Sequence, residues 1–367
     1  MRTIPNILAA TAAAALLAGL TAAAQANDFY KGKRLTILIN YSAGGPTDIE
    51  ARLFARHIAG HIPGKPQVIS KNMAGAGGIV ATNYLGQAAK PDGLTMGYFT
   101  ATATAQAFKP LQDAGLKVDP EKFALIATQA GTSYGYIRKD TPPGIDKPED
   151  IMKAHGLKVT GLRAQSSLDL RERLALDMLG IRHDYVTGYR GSAKARIAVM
   201  QGEGHMHTES QPSFRAKVKP TMIDTGMAIG LWYYPFDDGE KIWSPPSLSK
   251  GLDMMSFDKF YEKVKGKPPS GMLWKAFREV NRAGSMTQRA LILPPGSPKQ
   301  AVEALRTAVA AVNDDPAFAK DAAKTVNFVP SYDVGTQAEK LLKASTSISP
   351  DVAEFLKEYI AKVTTKK

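Results

Sequence analysis

The sequence predicts an α/β chain folded as two lobes, and three observations lead there. Short runs of β-favouring residues pass at once into glycine turns and then into helix-start residues, the order of strand, turn and helix. A βαβ unit can be traced in the middle of the chain. Once a leader is set aside, the length suffices for two domains of ordinary size, each with its own core.

The leader is 1–26. Arg2 precedes an Ala/Leu-rich core from Ile7 to Ala24, and Ala24-Gln25-Ala26 has the small-x-small form of a cleavage site. A membrane anchor is the rival reading, because the core is long. Its alanine content and the lack of a following stop-transfer charge cluster favour a cleaved signal peptide, and the periplasm as destination. With no cysteine there is neither a lipid-attachment thiol nor a disulfide. The formal charge of +13 is spread along the chain without any DNA or RNA motif, so nucleic acid is not an expected partner. A mild attraction for acidic solutes is the functional reading of that charge, beside a plain solvated surface.

Leu35 to Ile39 is an apolar run too short for a helix and suited to a strand buried on both faces. Tyr41, Ser42, Ala43, Gly44 and Gly45 then form a turn, and Pro46 has its φ pre-set for a first helical position. The helix through Thr47 and Asp48 thus offers free N–H groups and its positive dipole end at the mouth of the turn, a geometry suited to an anion. Phe54, Ile58 and Ile62 recur four apart along it. A short strand at 67–69 leads to a second turn, Gly75, Ala76, Gly77 and Gly78, and a second helix over 79–89. Val80 stands where a dinucleotide fingerprint needs glycine, and no P-loop pattern is present, so no cofactor is expected. A strand over 94–99 then runs into Thr100 and Thr102, hydroxyl donors for the cleft.

Tyr30-Lys31-Gly32-Lys33, Ala43-Gly44-Gly45-Pro46-Thr47-Asp48, Asn72 with Gly75 to Gly78, and Pro91-Asp92-Gly93 together resemble the extracytoplasmic solute receptors of tripartite tricarboxylate transporters, the Bug or TctC family. Val186-Thr187-Gly188-Tyr189-Arg190-Gly191-Ser192 is similar to its V-P-Y-x-G stretch, and Leu293-Pro294-Pro295-Gly296-Ser297-Pro298 to its A-P-x-G-T-P. The resemblance implies a two-lobed, hinged, periplasmic-binding-protein-like (Venus flytrap) fold. It also implies a carboxylate held by backbone groups and waters of the two glycine loops and handed to an integral-membrane permease. Lobe 1 is then expected from 27–128 and 288–367 and lobe 2 from 129–287, with crossovers near 127–129 and 286–288. A monomer is expected.

In the second lobe, strands are expected at 123–128 and 134–138, and Asp146 as the cap of a short helix near Pro148. The βαβ unit runs through a strand at 157–160, a helix at 168–179, a strand at 185–186 and a helix at 192–201. The loop 161–167 departs from the family's compact Gly/Ser pattern by carrying Arg163 and Gln165. Arg163, Ser166 and Ser167 either face the cleft or form a plain surface loop. His205, His207 and Glu209 alternate along a strand and so share one face. Metal, a polar cleft wall and simple structural histidines all remain open for them, and no metal site is assigned. Residues 230–270, with the aromatics of 232–269, read as an insertion that packs on the lobe or offers a partner surface. A strand from Arg289, helices from Pro298 and Pro316, a last strand at 326–329 and helices at 336–344 and 350–362 are expected to close the fold.

The expected function is capture of a small carboxylate, with no catalysis. A dicarboxylate is favoured, because Arg163 and Arg190 can each fork onto a second carboxylate. A monocarboxylate walled by Tyr41 and Tyr189 comes next. The alternative, an exported hydrolase or metal-binding enzyme, would want a nucleophile elbow, and no G-x-S-x-G is present.

Overall fold

The computed structural model describes residues 29–100 and 115–364; the expected leader and Thr102 lie outside them. The chain first lays down β1 (Arg34–Ile39), β2 (Gln67–Asn72), β3 (Thr95–Thr100) and β4 (Ala124–Gln129). It crosses to β5 (Ser133–Arg138), β6 (Leu157–Thr160), β7 (His183–Val186), β8 (Met206–Ser210) and β9 (Ala228–Tyr233). A ribbon of β10 (Phe236–Asp237) with β11 (Ile242–Trp243) and the edge strand β12 (Met255–Ser256) follow. The return is β13 (Arg289–Leu293), and β14 (Asp333–Val334) is last.

These strands make two six-stranded mixed sheets, ordered β14-β4-β13-β3-β1-β2 and β12-β9-β5-β8-β6-β7. In the first, β1 lies parallel to both β2 and β3, and β13 runs antiparallel between β3 and β4. The alternation of β1 explains its apolar run. Leu35, Ile37 and Ile39 pack with Phe54 and Ile58 of helix Pro46–His61, while Leu38 faces Ala81, Leu85 and Phe99 on the other side. The second sheet is covered on one face by Leu174, Phe257 and Phe277 and on the other by Phe214 and Val218. Among the described residues no helix is long and apolar enough to cross a membrane.

Several elements depart from the sequence expectation. Of the two outcomes open for the aromatics of 232–269, packing on the lobe is the one seen: β9 is an interior strand, and fully buried Trp232 packs on Phe257 and Phe260 at ring distances of 5.3 and 5.0 Å. Helix Gly271–Met286 escaped notice because its buried face includes Ala276, Asn281, Ala283 and Gly284, a helical spacing written partly in small or polar residues. The wide-turned helix Phe214–Ile223 contains Pro220, which interrupts a helical pattern in sequence. The strand expected at 326–329 is absent, since Val326 ends helix Pro316–Val326 and Asn327 turns left-handed at φ 58°. Lys147, not Asp146, precedes the short helix Pro148–Lys153, and Asp150 receives the Asp146 and Lys147 N–H groups at 3.2 and 3.1 Å.

Helix Pro350–Thr364 does not stay with the first sheet, as 288–367 was expected to. Val352, Leu356 and Ile360 enter the core of the second sheet, and Tyr359 sits under the Arg173 guanidinium at 5.0 Å. Its apolar stripe finds the larger aromatic cluster there. The chain therefore passes between the lobes three times, at 130–132, at 287–288 and again at 347–349.

Candidate functional site

In both lobes a strand feeds a loop that an aspartate three residues into the next helix ties down. In the first lobe, Asp48 receives the Gly44 N–H at 2.9 Å, Arg52 Nε at 2.8 Å and Asn72 Nδ2 at 2.9 Å. Gly44 holds φ at 77°, which a residue with a Cβ rarely adopts. Asn40, buried beyond β1, pairs with both the N–H and C=O of Thr100 and so fixes the end of β3. Thr100 Oγ1 then meets Thr47 Oγ1 at 2.5 Å. In the second lobe, Asp169 receives the N–H groups of Leu162 and Arg163 at 2.6 and 2.9 Å, and Ser166 Oγ accepts from Asp169 N at 3.2 Å as the helix cap. Burial pushes the Asp169 carboxyl up, against the pull of the Tyr185 hydroxyl and the Ser166 cap.

Three helix starts converge where the lobes meet: Pro46 and Thr47, Ser166 and Ser167, and Gly191 with Ser192. They enclose a cavity of about 40 Å³ that Tyr41, Ser42, Gly45 and Thr100 also line. Arg171, Ser210, Gly284 and Gln288 complete its polar and small-residue wall. The lobes touch around it. Ser42 Oγ donates to the Arg190 carbonyl at 3.2 Å, and Arg163 Nη1 donates to the Ala76 carbonyl at 3.1 Å.

Tyr41, Ser42, Gly45, Thr47, Thr100, Ser166 and Ser167 are thus brought together as the sequence reading grouped them. Others are placed differently. Ala43, Gly44 and Asp48 shape the first loop without lining the cavity, and Asp48 is spent on internal bonds. Gly75, Ala76, Gly77 and Gly78 stand beside it: the Gly77 carbonyl accepts from Tyr41 OH at 2.9 Å, and the missing side chain of Gly77 makes room for Arg163, whose Cδ would lie 2.2 Å from a Cβ there. Arg163 therefore reaches across the cleft to the first lobe. The Arg190 side chain is exposed, and Tyr189 lies outside the lining. The stretch 186–192 reaches the cavity through Gly191 and Ser192.

The His205, His207 and Glu209 group does not act together. The His205 ring nitrogen accepts from Lys158 N, His207 Nδ1 lies 2.7 Å from the Thr160 carbonyl, and Glu209 is buried against Arg196 at 2.7 Å and Ser213. Among the described residues no cluster of three His, Cys, Asp or Glu is arranged to hold a metal.

Arg171 is the charged residue among the lining residues that sequence reasoning missed. It sits in the first turns of helix Ser167–Leu179 and folds back, Nε donating to the Ser167 carbonyl at 3.2 Å. Nη1 reaches Asn281 Oδ1 at 3.1 Å, Nη2 reaches Ser133 Oγ at 3.2 Å, and the Tyr234 ring lies 4.9 Å from Cζ. Burial pushes its guanidinium down to about 10, still charged at neutral pH.

No family model matches the chain. Two curated relatives do: a UPF0065 protein in the gbd 5' region of Cupriavidus necator is 31% identical over 201 residues, and one in the TAR-I ttuE-ttuC' intergenic region of Agrobacterium vitis is 30% identical over 212. The matches cover 53% and 54% of this chain and span 58% and 57% of those relatives. Among solved structures, periplasmic binding protein BugD aligns with a TM-score of 0.64 at 18% identity, over 91% of this chain and 99% of its own. MatC from Rhodopseudomonas palustris with bound malate gives 0.60 at 19% identity over 90% of this chain and 98% of its own. Rpa4515 of R. palustris with adipate gives 0.64 at 20% over 90% and 97%. The resemblance read from the glycine loops therefore holds: this chain has the fold of the Bug and TctC periplasmic binding proteins.

Proposed function

We propose that the chain is an extracytoplasmic receptor, exported by a cleaved leader, that captures a small carboxylate between its lobes and passes it to a membrane permease. The observation that carries this reading is the convergence of three helix starts, from both lobes, on one cavity. Free N–H groups and hydroxyls around a low-dielectric space favour an anion. A dicarboxylate is the first choice, since each lobe brings its own donors; malate and adipate are the ligands of two fold neighbours. The cavity is only about 40 Å³ with the lobes in contact around it. A ligand of that kind enters when the lobes stand farther apart, and its contacts to both lobes then favour closure.

Calorimetry and thermal shift with malate, adipate and butyrate test this. A ligand at a hundredfold excess over its dissociation constant stabilises the fold by about 2.7 kcal/mol. Gly45→Val should stay folded, because Gly45 has φ −83° and a Cβ there meets nothing nearer than the Ser42 carbonyl at 3.4 Å. Its side chain would fill the cavity and abolish binding of every carboxylate. Full affinity in a folded Gly45→Val protein removes this cavity as the site.

A further inference from the structure

We infer that Arg171 is the charged anchor of this cavity, taking a ligand carboxylate from the second lobe and making the site demand an anion. The inference rests on the receptor reading and deepens it.

The starting point is an unbalanced charge. A buried guanidinium costs several kcal/mol unless an anion and full hydrogen bonding compensate it. Other arginines have that anion, Arg289 in Glu50, Arg196 in Glu209 and Arg278 in Asp237, while buried Arg173 donates to the Ala164 carbonyl and has Asp169 near enough to feel its charge. Arg215 has no carboxylate but spends its donors on the carbonyls of Lys250, Ser247 and Leu248. Arg171 is buried with one carbonyl, one amide oxygen and one hydroxyl, and among the described residues no carboxylate pairs with it. A guanidinium has five N–H groups. Two of those on Nη1 and Nη2 are left after the three bonds, on the residue that lines the cavity.

Position adds to the imbalance. The side chain folds back toward the N-terminus of helix Ser167–Leu179, so its charge adds to the positive dipole end. Lysine and arginine are favoured at the other end of a helix. Gly284 lies against it, and a Cβ there would stand 2.9 Å from Arg171 Cζ. The packing thus leaves the guanidinium a place at the wall while its charge goes unanswered by the protein. A carboxylate in the cavity supplies both the missing charge and a forked acceptor.

The test compares adipate with its uncharged diamide, adipamide, on wild type, Arg171→Met and Gly284→Ala. Wild type should prefer the acid strongly. Loss of one partner of a buried charge pair predicts that Arg171→Met lowers adipate affinity, and the acid-over-amide ratio, by about 30-fold or more. The unliganded melting temperature should fall only modestly, since three neutral acceptors lose a donor but no acid is orphaned. Gly284→Ala keeps every charge but displaces the guanidinium, and should lower the ratio by about threefold or more. A purely structural arginine would lower the melting temperature and leave the ratio in place, which overturns the inference. Should Arg171→Met fail to fold, Gly284→Ala decides alone, and an unchanged ratio there overturns it. If wild type binds neither adipate nor malate nor butyrate, the receptor reading falls and the anchor with it.

Discussion

Arg289 in the first lobe and Arg171 in the second are both buried beside the cleft, yet they are held in opposite ways. Arg289 donates to Glu50 at 2.5 Å, and Gln129 completes the same carboxylate at 2.7 Å, so the charge is closed within the lobe. Arg171 finds only neutral partners. The first lobe thus offers hydroxyls and helix N–H groups without net charge, and the second offers charge. Matched strand, loop and helix units, each tied by an early aspartate, can therefore divide the work of one site unequally.

Removing the acid on the first side gives the largest effect. Glu50→Ala leaves Arg289 buried and alone, at a cost of about 3–5 kcal/mol, measured as a fall in urea unfolding free energy. Arg171→Met should cost far less, and equal losses would break the contrast. Acid sharpens it next. Burial holds the His207 imidazole of the second lobe down to about 4 from 6.5, so unfolding lets it take a proton. Its contribution is complete above about pH 6.5 and is lost as pH falls toward 4, up to about 3 kcal/mol. In the first lobe, His57 and Arg56 hold Asp321 down to about 2, and that contribution is lost only below its ordinary 3.8. Unfolding midpoints should therefore drop between pH 6.5 and 4, and His207→Gln should flatten that drop. An unaltered pH profile in the variant argues against it. The smallest effect is expected at the bridge between the lobes. Arg163→Ala removes the bond to the Ala76 carbonyl, and apparent ligand affinity should fall by about two- to tenfold. A loss as deep as that of Arg171→Met would mean that Arg163 touches ligand after all.

The first loop was legible because its requirements are local. A strand that must turn sharply into a helix wants glycine at positive φ and proline at the first helical position, and Gly44 and Pro46 answer both. Gly75 to Gly78 looked the same, but Gly77 serves a close approach by Arg163 from the other lobe, which only tertiary structure reveals. Arg171 was hidden for another reason. A charged run on a helix is ordinarily a solvated face, whereas Asp169, Arg171, Glu172 and Arg173 are all buried. Arg163 and Arg190, standing in loops, drew the expectation of charge, whereas Arg171 lies deeper and lines the cavity. Fold class survived because apolar periodicity in β1 and the helices near 299–326 reports burial directly.

The last crossing has a mechanical consequence. Helix Thr336–Thr346 is fastened to the first lobe through Ala338, and helix Pro350–Thr364 to the second. Between them lie only residues 347–349, where Arg282 grips the Ser347 carbonyl at 2.8 Å and Glu279 holds Ser349 by both N–H and Oγ at 2.8 Å. Two adjoining cords let a pair of bodies swing and also twist. A third, with a reach on the order of 10–15 Å, ties that edge like a ribbon across the covers of a book. Opening is then bounded in width, and wrenching the lobes past that bound would have to peel the terminal helix from its aromatic bed.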